Sequence, residues 1–460
     1  MAHISPTIAS VRFRKTKTRS FNGYLLSWVR KFPEFCNTVQ STPAADRHYT
    51  LARPSGGAAT FSLYNCLNSG SRPRNTRVRV NLELTEEQKL LQRMVREFAE
   101  AEVKPLAKEL DETGRFPREN LRKAAELGLT GIAVPESYGG AGMDHICYSI
   151  VIEEIARVCA STSVILSVQN SLYCGALDHF GTEEQKKKWL VPFARGEKIG
   201  CYALTEPQAG SNAAALATKA VRKGDVYVVN GTKAWITNGG AADAGIIFVN
   251  TQPENGEKGI TALVIEKGTP GFAVGKEEKK LGIHATACTE LVFTDCAVPV
   301  TNRIGNEGDG YKVALTTLDS GRVGIASQAI GIAQGAFEAA LEYSRQRQAF
   351  GHPIAEFQAI QFMLADMATE IDAARLLARR AAWKQDSGAR FSMEASIAKL
   401  YASEMATRVA HKAIQIHGGN GYSSEYPVER AYRDARITEI YEGTSEIQRL
   451  VIASWVLKSV

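Results

Sequence analysis

CYALTEPQAGSN, residues 201–212, lies where the chain passes from one periodicity to another. Thr205 and Ser211 supply hydroxyls around Gly210, whose missing Cβ lets the backbone approach a neighbour closely. By composition alone the segment is a polar loop leading into a sheet. Downstream, Val226–Val229, Asn230-Gly231 and Thr232–Thr237 predict a hairpin, because Asn-Gly supplies the positive φ angles of a type I′ turn. Short β-rich runs follow at 246–250, 261–265, 272–274 and 291–293. Upstream, Thr85 and Gln88 have the form of a capping box, and Leu90, Leu91, Met94, Val95 and Phe98 recur at helical spacing. Further helices are expected at 119–129, at 147–160 and after Ser163, punctuated by Pro135 and Gly139-Gly140. Past Gly310 three long amphipathic stretches, 316–344, 356–385 and 393–415, suit a helical bundle. The order is helix, strand, helix without an internal repeat, so the fold class is α+β. The expected boundaries are 81–200 for an α-helical domain, 201–308 for a β-domain and 309–460 for a helical bundle domain.

Residues 1–80 differ from everything after them. They hold 13 Lys/Arg against only Glu34 and Asp46, a local charge of +11. With a total of +6, the other 380 residues carry 42 Lys/Arg against 47 Asp/Glu, or −5. That mildly acidic body gives no reason to invoke nucleic acid. The Arg- and Ser-rich, acid-poor leader has two competing readings: a mitochondrial presequence, or an upstream extension from a mis-called start. Either way it is expected to carry little fixed structure, and the compartment is the mitochondrial matrix for a eukaryotic host or the cytoplasm for a bacterial one. The eight cysteines, at 36, 66, 147, 159, 174, 201, 288 and 296, form no CxxC pair or zinc-ligand spacing, so no metal is expected. Scattered thiols suit a reducing compartment. No apolar run reaches the roughly 18–20 residues that span a bilayer.

No complete GxGxxG, GxxxxGK[ST] or GxSxG motif is present, so a cofactor must be held in some other way. Three further segments are unusual, and each has a bland reading. Trp235, Ile236 and Thr237 put an aromatic and a hydroxyl at a strand end, where a tryptophan is more often core. Gln415-Ile416-His417-Gly418-Gly419 ends a long helix and suits a C-cap. Glu442-Gly443-Thr444-Ser445-Glu446 leads into a last helix, for which Ser445 and Gln448 predict a capping box. A carboxylate just outside a helix N-terminus is usually a solvated charge facing the dipole.

Taken together, CYALTEPQAGSN, WITN, RQAFG, QIHGGNGY and YRDARITEIYEGTSEIQRL, in this order and spacing, resemble the acyl-CoA dehydrogenase family. The resemblance covers about 82–460, and SVILSVQNSLY (163–173) and the chain's end look closest to the short-chain, butyryl-CoA branch. It implies an N-terminal α-helical domain, a middle β-barrel domain and a C-terminal four-helix bundle, with FAD between barrel and bundle. It also implies that Tyr202, Ala203, Leu204, Thr205, Glu206, Pro207, Gln208, Ala209, Gly210 and Ser211 line the flavin, and that Trp235, Ile236 and Thr237 pack on its ring. Arg347, Gln358, Gln415, Ile416, His417, Gly418 and Gly419 would reach the FAD of a neighbouring subunit, making a homotetramer part of the site. Thr444, Ser445 and Glu446 would complete the FAD pocket, while Ser211, Asp319, Ser320, Gly321, Arg322 and Gly443 would contact the acyl-CoA.

The resemblance assigns Glu442 as the base that removes the α-proton, with the β-hydrogen leaving as hydride to flavin N5 and an electron-transfer flavoprotein as the electron acceptor. An α-hydrogen beside a thioester is too weakly acidic for a solvated carboxylate. Donors aimed at the thioester oxygen, and a carboxyl pKa raised by burial, close that gap. Branches such as the isovaleryl-CoA dehydrogenases carry the base at the position matching Gly321; here 321 is Gly and 442 is Glu. His417 departs from the family pattern, where Leu is common, and so alters flavin-pocket polarity. A branched short-chain substrate stays open, as does an acyl-CoA oxidase. A DNA-binding relative is opposed by the charge of −5.

Overall fold

The computed structural model describes residues 83–458; the leader 1–80, with Cys36 and Cys66, lies outside the described residues. Helix α1 (Glu86–Phe98) opens on a capping box: Thr85 Oγ1 accepts from the Gln88 amide at 3.2 Å, and Gln88 Oε1 from the Thr85 amide at 3.0 Å. Helices α2 (Ala107–Thr113), α3 (Arg118–Glu126) and α4 (His145–Ala156) follow. The helix expected over 147–160 stops at Ala156, because Cys159 takes extended angles (φ −151°, ψ 101°) before α5 (Ala160–Ser167) begins. A π-helical stretch, Val168–Cys174, then joins α5 to α6 (Gly175–Phe180). Such a wide turn rotates the face a helix presents, and π-turns often sit at functional sites.

The middle of the chain forms β1 (Gly200–Ala203), β2 (Lys219–Lys223), β3 (Val226–Ile236), β4 (Ala244–Asn250), β5 (Ile260–Glu266), β6 (Phe272–Glu277), β7 (Thr289–Pro299) and β8 (Arg303–Ile304). The ladder runs β6-β7-β3-β2-β4-β5-β8, with β1 added in parallel to β4. Its end strands β6 and β8 are not paired with each other, so the barrel is an open one.

The expected hairpin at Asn230-Gly231 is not there. β3 runs straight through, with a bulge against β7 between Val229 and Gly231. Two contacts decide this. Asn230 Oδ1 accepts from the Asp295 amide at 2.8 Å, and a Cβ on Gly231 (φ +147°) would stand 2.7 Å from Thr218 Cα. Glycine there serves close packing on Thr218, just before β2, rather than a turn. The real hairpin joins β2 to β3 at Gly224-Asp225, where Gly224 has φ +64°.

The last part is helical: α7 (Gly310–Gln346), α8 (Gln358–Asp386), α9 (Ser392–His417), α10 (Pro427–Ile437) and α11 (Ser445–Val456). Buried alanines line α7 (Ala326, Ala329, Ala333) and α9 (Ala402, Ala406, Ala410), and side chains this small let helices approach closely. One apolar cluster runs from Val134 through Ile246 and Val264 to Ala435, so helical and strand segments share a core. Partly buried ion pairs tie the early helices to the bundle, among them Arg375–Glu153 at 2.9 Å and Arg157–Glu338 at 2.6 Å. These ties fix the end of α4 against α7 and α8.

Candidate active site

Glu442 lies in the turn between α10 and α11, closed by a hydrogen bond from the Ser445 amide to the Glu439 carbonyl at 2.9 Å. Glu442 and Gly443 both have positive φ, +53° and +93°. For a glutamate that is a strained conformation, kept only where surrounding contacts over-determine it. The carboxylate Oε2 is buried and has no hydrogen-bond partner among the described residues. Burial pushes the Glu442 carboxyl up to about 7, while the charges of Lys399 and then Arg322 pull it back. A carboxylate so placed is poised to take a proton near neutral pH.

The expected Ser445/Gln448 capping box is replaced by another arrangement. Thr444 is the N-cap, its Oγ1 accepting from the Ile447 amide at 3.4 Å. Gln448 Nε2 instead donates to the carbonyls of Glu442 (3.1 Å) and Gly443 (2.9 Å). Its side chain is therefore spent on the base-bearing turn, and Ser445 Oγ is left buried without a partner.

Helix α7 comes in underneath. A Cβ on Gly321 would collide with Glu442 Oε2 and stand 2.9 Å from Leu172 Cδ2, so glycine makes the room that the carboxylate fills. Leu172 belongs to the π-helical stretch. One residue on, Arg322 Nη1 donates to Asp319 Oδ1 at 2.7 Å, and Asp319 also accepts from Ser392. Ser320 accepts from Gln385 Nε2. Ser320 also lines a cavity of about 330 Å³ of mixed polarity with Tyr148, Ser171, Thr317 and Phe391.

The 202–211 segment divides in two. Tyr202 turns inward, its hydroxyl donating to the Ala314 carbonyl at 3.3 Å and its ring against Phe248; Ala203, Leu204 and Ala209 are buried too. The Glu206 carboxylate is not open to a cofactor. It accepts from Lys233 Nζ (2.7 Å), the Ala217 amide (2.6 Å) and the Thr218 amide (3.1 Å), all internal. Those bonds hold the loop in shape. Thr205 is half-buried, and Pro207, Gln208, Gly210 and Ser211 are exposed. The Thr205 carbonyl accepts from the Ala234 amide at 2.9 Å, which binds this loop to the end of β3. There Trp235 is 56% exposed at φ +60°, beside buried Ile236 and half-buried Thr237. An open indole on a strained strand end is not the core tryptophan of the bland reading.

The remaining expected residues gather at the far end of the bundle. The Tyr343 ring stacks on His417 at 4.2 Å, and Asn420 Nδ2 donates to Tyr343 Oη at 3.0 Å. This joins the end of α9 to the end of α7, where Arg347 is exposed, as are Gln358, Gln415, Gly418 and Gly419, while Ile416 is buried. His417 does not reach outward: it is 4% exposed, and its Nδ1 bonds the Ala413 carbonyl at 2.8 Å. Among the described residues no hydrogen bond links this group directly to 202–211 or 442–446.

Reasoning from sequence missed Lys399 and Lys233, and read Gln448 only as a capping-box partner of Ser445. Mid-helix and mid-strand lysines give no local signal. No group of three or more His, Cys, Asp or Glu side chains among the described residues could hold a metal. An FAD fits what is present: the open Trp235 face, the partnerless Ser445 Oγ at the start of α11, and Gly210, Gly418 and Gly419, where an added Cβ would meet nothing. Gly418 is also required by its backbone (φ +58°), but glycine at 210 and 419 has no reason within the chain itself, in keeping with a group that comes close from outside.

The match to known proteins is extensive. Models of the acyl-CoA dehydrogenase N-terminal, middle and C-terminal domains match residues 85–197, 201–296 and 308–457. The short-chain-specific acyl-CoA dehydrogenase of Clostridium acetobutylicum is 52% identical over 379 residues, covering 82% of this chain and 100% of that protein. The mitochondrial short-chain-specific enzyme of Rattus norvegicus is 50% identical over 409 residues, 89% and 98% of the two chains. The structure of butyryl-CoA dehydrogenase from Megasphaera elsdenii superposes with a TM-score of 0.81 at 46% identity, covering 82% of this chain and 100% of that one. A chain from work on the electron transferring flavoprotein of Acidaminococcus fermentans gives the same four values. The class is thus a flavoprotein oxidoreductase with helical ends and a β middle. The chain belongs to the acyl-CoA dehydrogenase family, and it is an FAD-dependent enzyme that dehydrogenates acyl-CoA thioesters.

Proposed function

We propose that Glu442 removes the α-proton of a short-chain acyl-CoA, giving the trans-2-enoyl-CoA. The observation that carries this is the buried, partnerless Oε2 on a strained turn, pressed against Gly321, with its carboxyl pushed up to about 7. Bound FAD supplies the two-electron oxidant for the β-hydrogen. The protein supplies position and polarity. Among the described residues the Glu442 amide makes no backbone turn bond, which leaves it free to stabilise the thioester oxygen as charge develops. Leu172 and the Tyr148 end of the cavity exclude water from the acyl chain, and a dry site raises the carboxylate's basicity. Thr205, Gly210, Ser211, Trp235, Ile236, Thr237, Thr444 and Ser445 hold the cofactor, while Asp319, Ser320, Arg322 and Gly443 face the acyl-CoA.

A panel of acyl-CoAs with an artificial electron acceptor tests the reading. Butyryl-CoA is expected to give the highest kcat/KM among straight chains. A preference for C8 or longer, or for a 2-methyl-branched chain, overturns the chain-length assignment. Turnover that releases peroxide without added acceptor identifies an oxidase instead.

The electron acceptor is an electron-transfer flavoprotein, and the working form a homotetramer. Exposed Arg347 and Gln358, with the open glycines 418 and 419, then face a neighbouring subunit's FAD. Replacing Arg347 with Ala is expected to weaken FAD retention by about 1.5–3 kcal/mol, the worth of a charge-assisted contact. Equilibrium dialysis of the flavin checks this, and unchanged affinity removes Arg347 from the site. The leader acts as a mitochondrial presequence. Its Arg- and Ser-rich, acid-poor composition supports this. Among the described residues no helix is long and apolar enough to cross a membrane.

A further inference from the structure

We infer that Lys399 is a positioning residue for Glu442: it clamps the Glu442–Gly443 turn through the Gly443 carbonyl and provides the positive charge that favours the carboxylate. The inference rests on Glu442 being the base.

Among the described residues two lysines are fully buried, Lys233 and Lys399. Lys233 has the usual remedy, an ion pair with Glu206 at 2.7 Å. Lys399 forms no ion pair within 4.0 Å among the described residues, and its Nζ donates at 2.7 Å to the carbonyl of Gly443. A buried ammonium is costly without a nearby negative charge, and a lone carbonyl does not repay that cost. The compensating charge is Glu442, next to the carbonyl that Lys399 grips. The grip has mechanical value as well. Two successive left-handed residues hold the carboxylate in place, and the Gly443 carbonyl is pinned from two helices, by Lys399 on α9 and Gln448 on α11.

Facing Lys399 are Glu442, Arg322 from α7, Glu439 from the turn after α10 and Glu446 from α11. Facing Glu442 are Lys399 and Arg322, with the hydroxyls of Tyr148, Tyr202 and Tyr441 around it. Burial drives Lys399 down, to about 7, and Glu442 is the first charge that pulls it back up. The coupling has a definite sign. Without the ammonium the Glu442 carboxylate loses its largest source of charge stabilisation, so its pKa rises and the base ionises only at higher pH.

Lys399→Met and Gln448→Met separate the two roles in the holoenzyme. Both lose a donor to the turn, but only the first loses a charge. In Lys399→Met the pH midpoint of flavin reduction by butyryl-CoA is expected to move up by about one unit or more. Isotope-edited infrared titration of the 442 carboxyl in resting enzyme, assigned by its absence in Glu442→Gln, is expected to move with it. Gln448→Met is expected to lower the rate and leave both midpoints in place. If Lys399→Met does not yield folded flavoprotein, Lys399→Gln, which keeps an amide donor without charge, carries the same expectation. An infrared midpoint at the wild-type value in either Lys399 variant overturns the inference. That result is distinct from Glu442→Gln reducing its flavin at the wild-type rate, which would overturn the assignment of the base itself.

Discussion

Glu442→Gln is expected to bind butyryl-CoA and perturb the flavin spectrum as the wild type does, while flavin reduction slows by at least 10²–10⁴-fold, the usual loss for a positioned general base. The amide has the same shape, so it occupies the space over Gly321 without strain, yet it cannot accept a proton at neutral pH. Glu442→Asp is expected to be milder: it keeps the charge but withdraws it by a methylene, and a displacement of about one ångström costs around 10². Stopped-flow spectroscopy of the bound flavin separates these outcomes, because binding and reduction have different signatures. Wild-type reduction by the Gln variant would place the base elsewhere and leave the family membership intact.

The same residue fixes a pH dependence. The base works as a carboxylate, so reduction at low substrate should rise with pH through about 7, the value to which burial pushes Glu442. The stability effect has the opposite sense. A carboxyl whose folded pKa lies above its unfolded value of about 4.5 binds its proton more tightly when folded, and that advantage is lost as pH climbs through about 7. Glu442→Gln removes the penalty. Its thermal midpoint should therefore gain on the wild type between pH 5 and pH 8.

How much of this was legible in the sequence follows from what each signal depends on. The capping box at Thr85 and Gln88 formed because both partners lie within one turn, and nothing distant competes for them. The long helices 316–344, 356–385 and 393–415 appeared with only small shifts at their ends, since a stripe of buried alanine and aliphatic residues repeats over many turns. Asn230-Gly231 misled because its turn propensity is local, whereas its fate was set by Asp295, which lies 65 residues further on. Ser445 and Gln448 misled in a more useful way: the glutamine amide found the carbonyls of Glu442 and Gly443 a better use than helix capping. Lys399 gave no sign at all. A lysine within a helix normally lies on its solvated face, and only the arrangement of α9 under the 442–443 turn makes it the buried partner of a carboxylate. The motif located the base, and three-dimensional packing was needed to find what supports it.

Gly321→Ala is expected to be nearly as damaging as removing the base, although it adds a single methyl group far from any proton transfer in sequence. The added Cβ falls on Glu442 Oε2 and crowds Leu172, and neither side can easily give way. Gly321 lies inside the 37-residue helix α7, and Leu172 is held in the π-helical stretch. The carboxylate must swing aside, and a shift of about an ångström costs on the order of 10² in reduction rate. The overpacking itself costs about 1–3 kcal/mol of stability, which thermal unfolding would show. Shortening the acid relieves the clash, so Gly321→Ala with Glu442→Asp should be less impaired than the product of the single losses, the mark of two residues in contact. The collision also shows that positions 321 and 442 reach one space from opposite sides. Gly321→Glu with Glu442→Gly places a carboxyl there from α7, and glycine takes the φ of +53° at position 442 without strain. That double variant should recover part of the activity that Glu442→Gly alone loses. Stopped-flow reduction is again the measurement: a Gly321→Ala enzyme that reduces its flavin at the wild-type rate would show that the carboxylate does not work from the place described here.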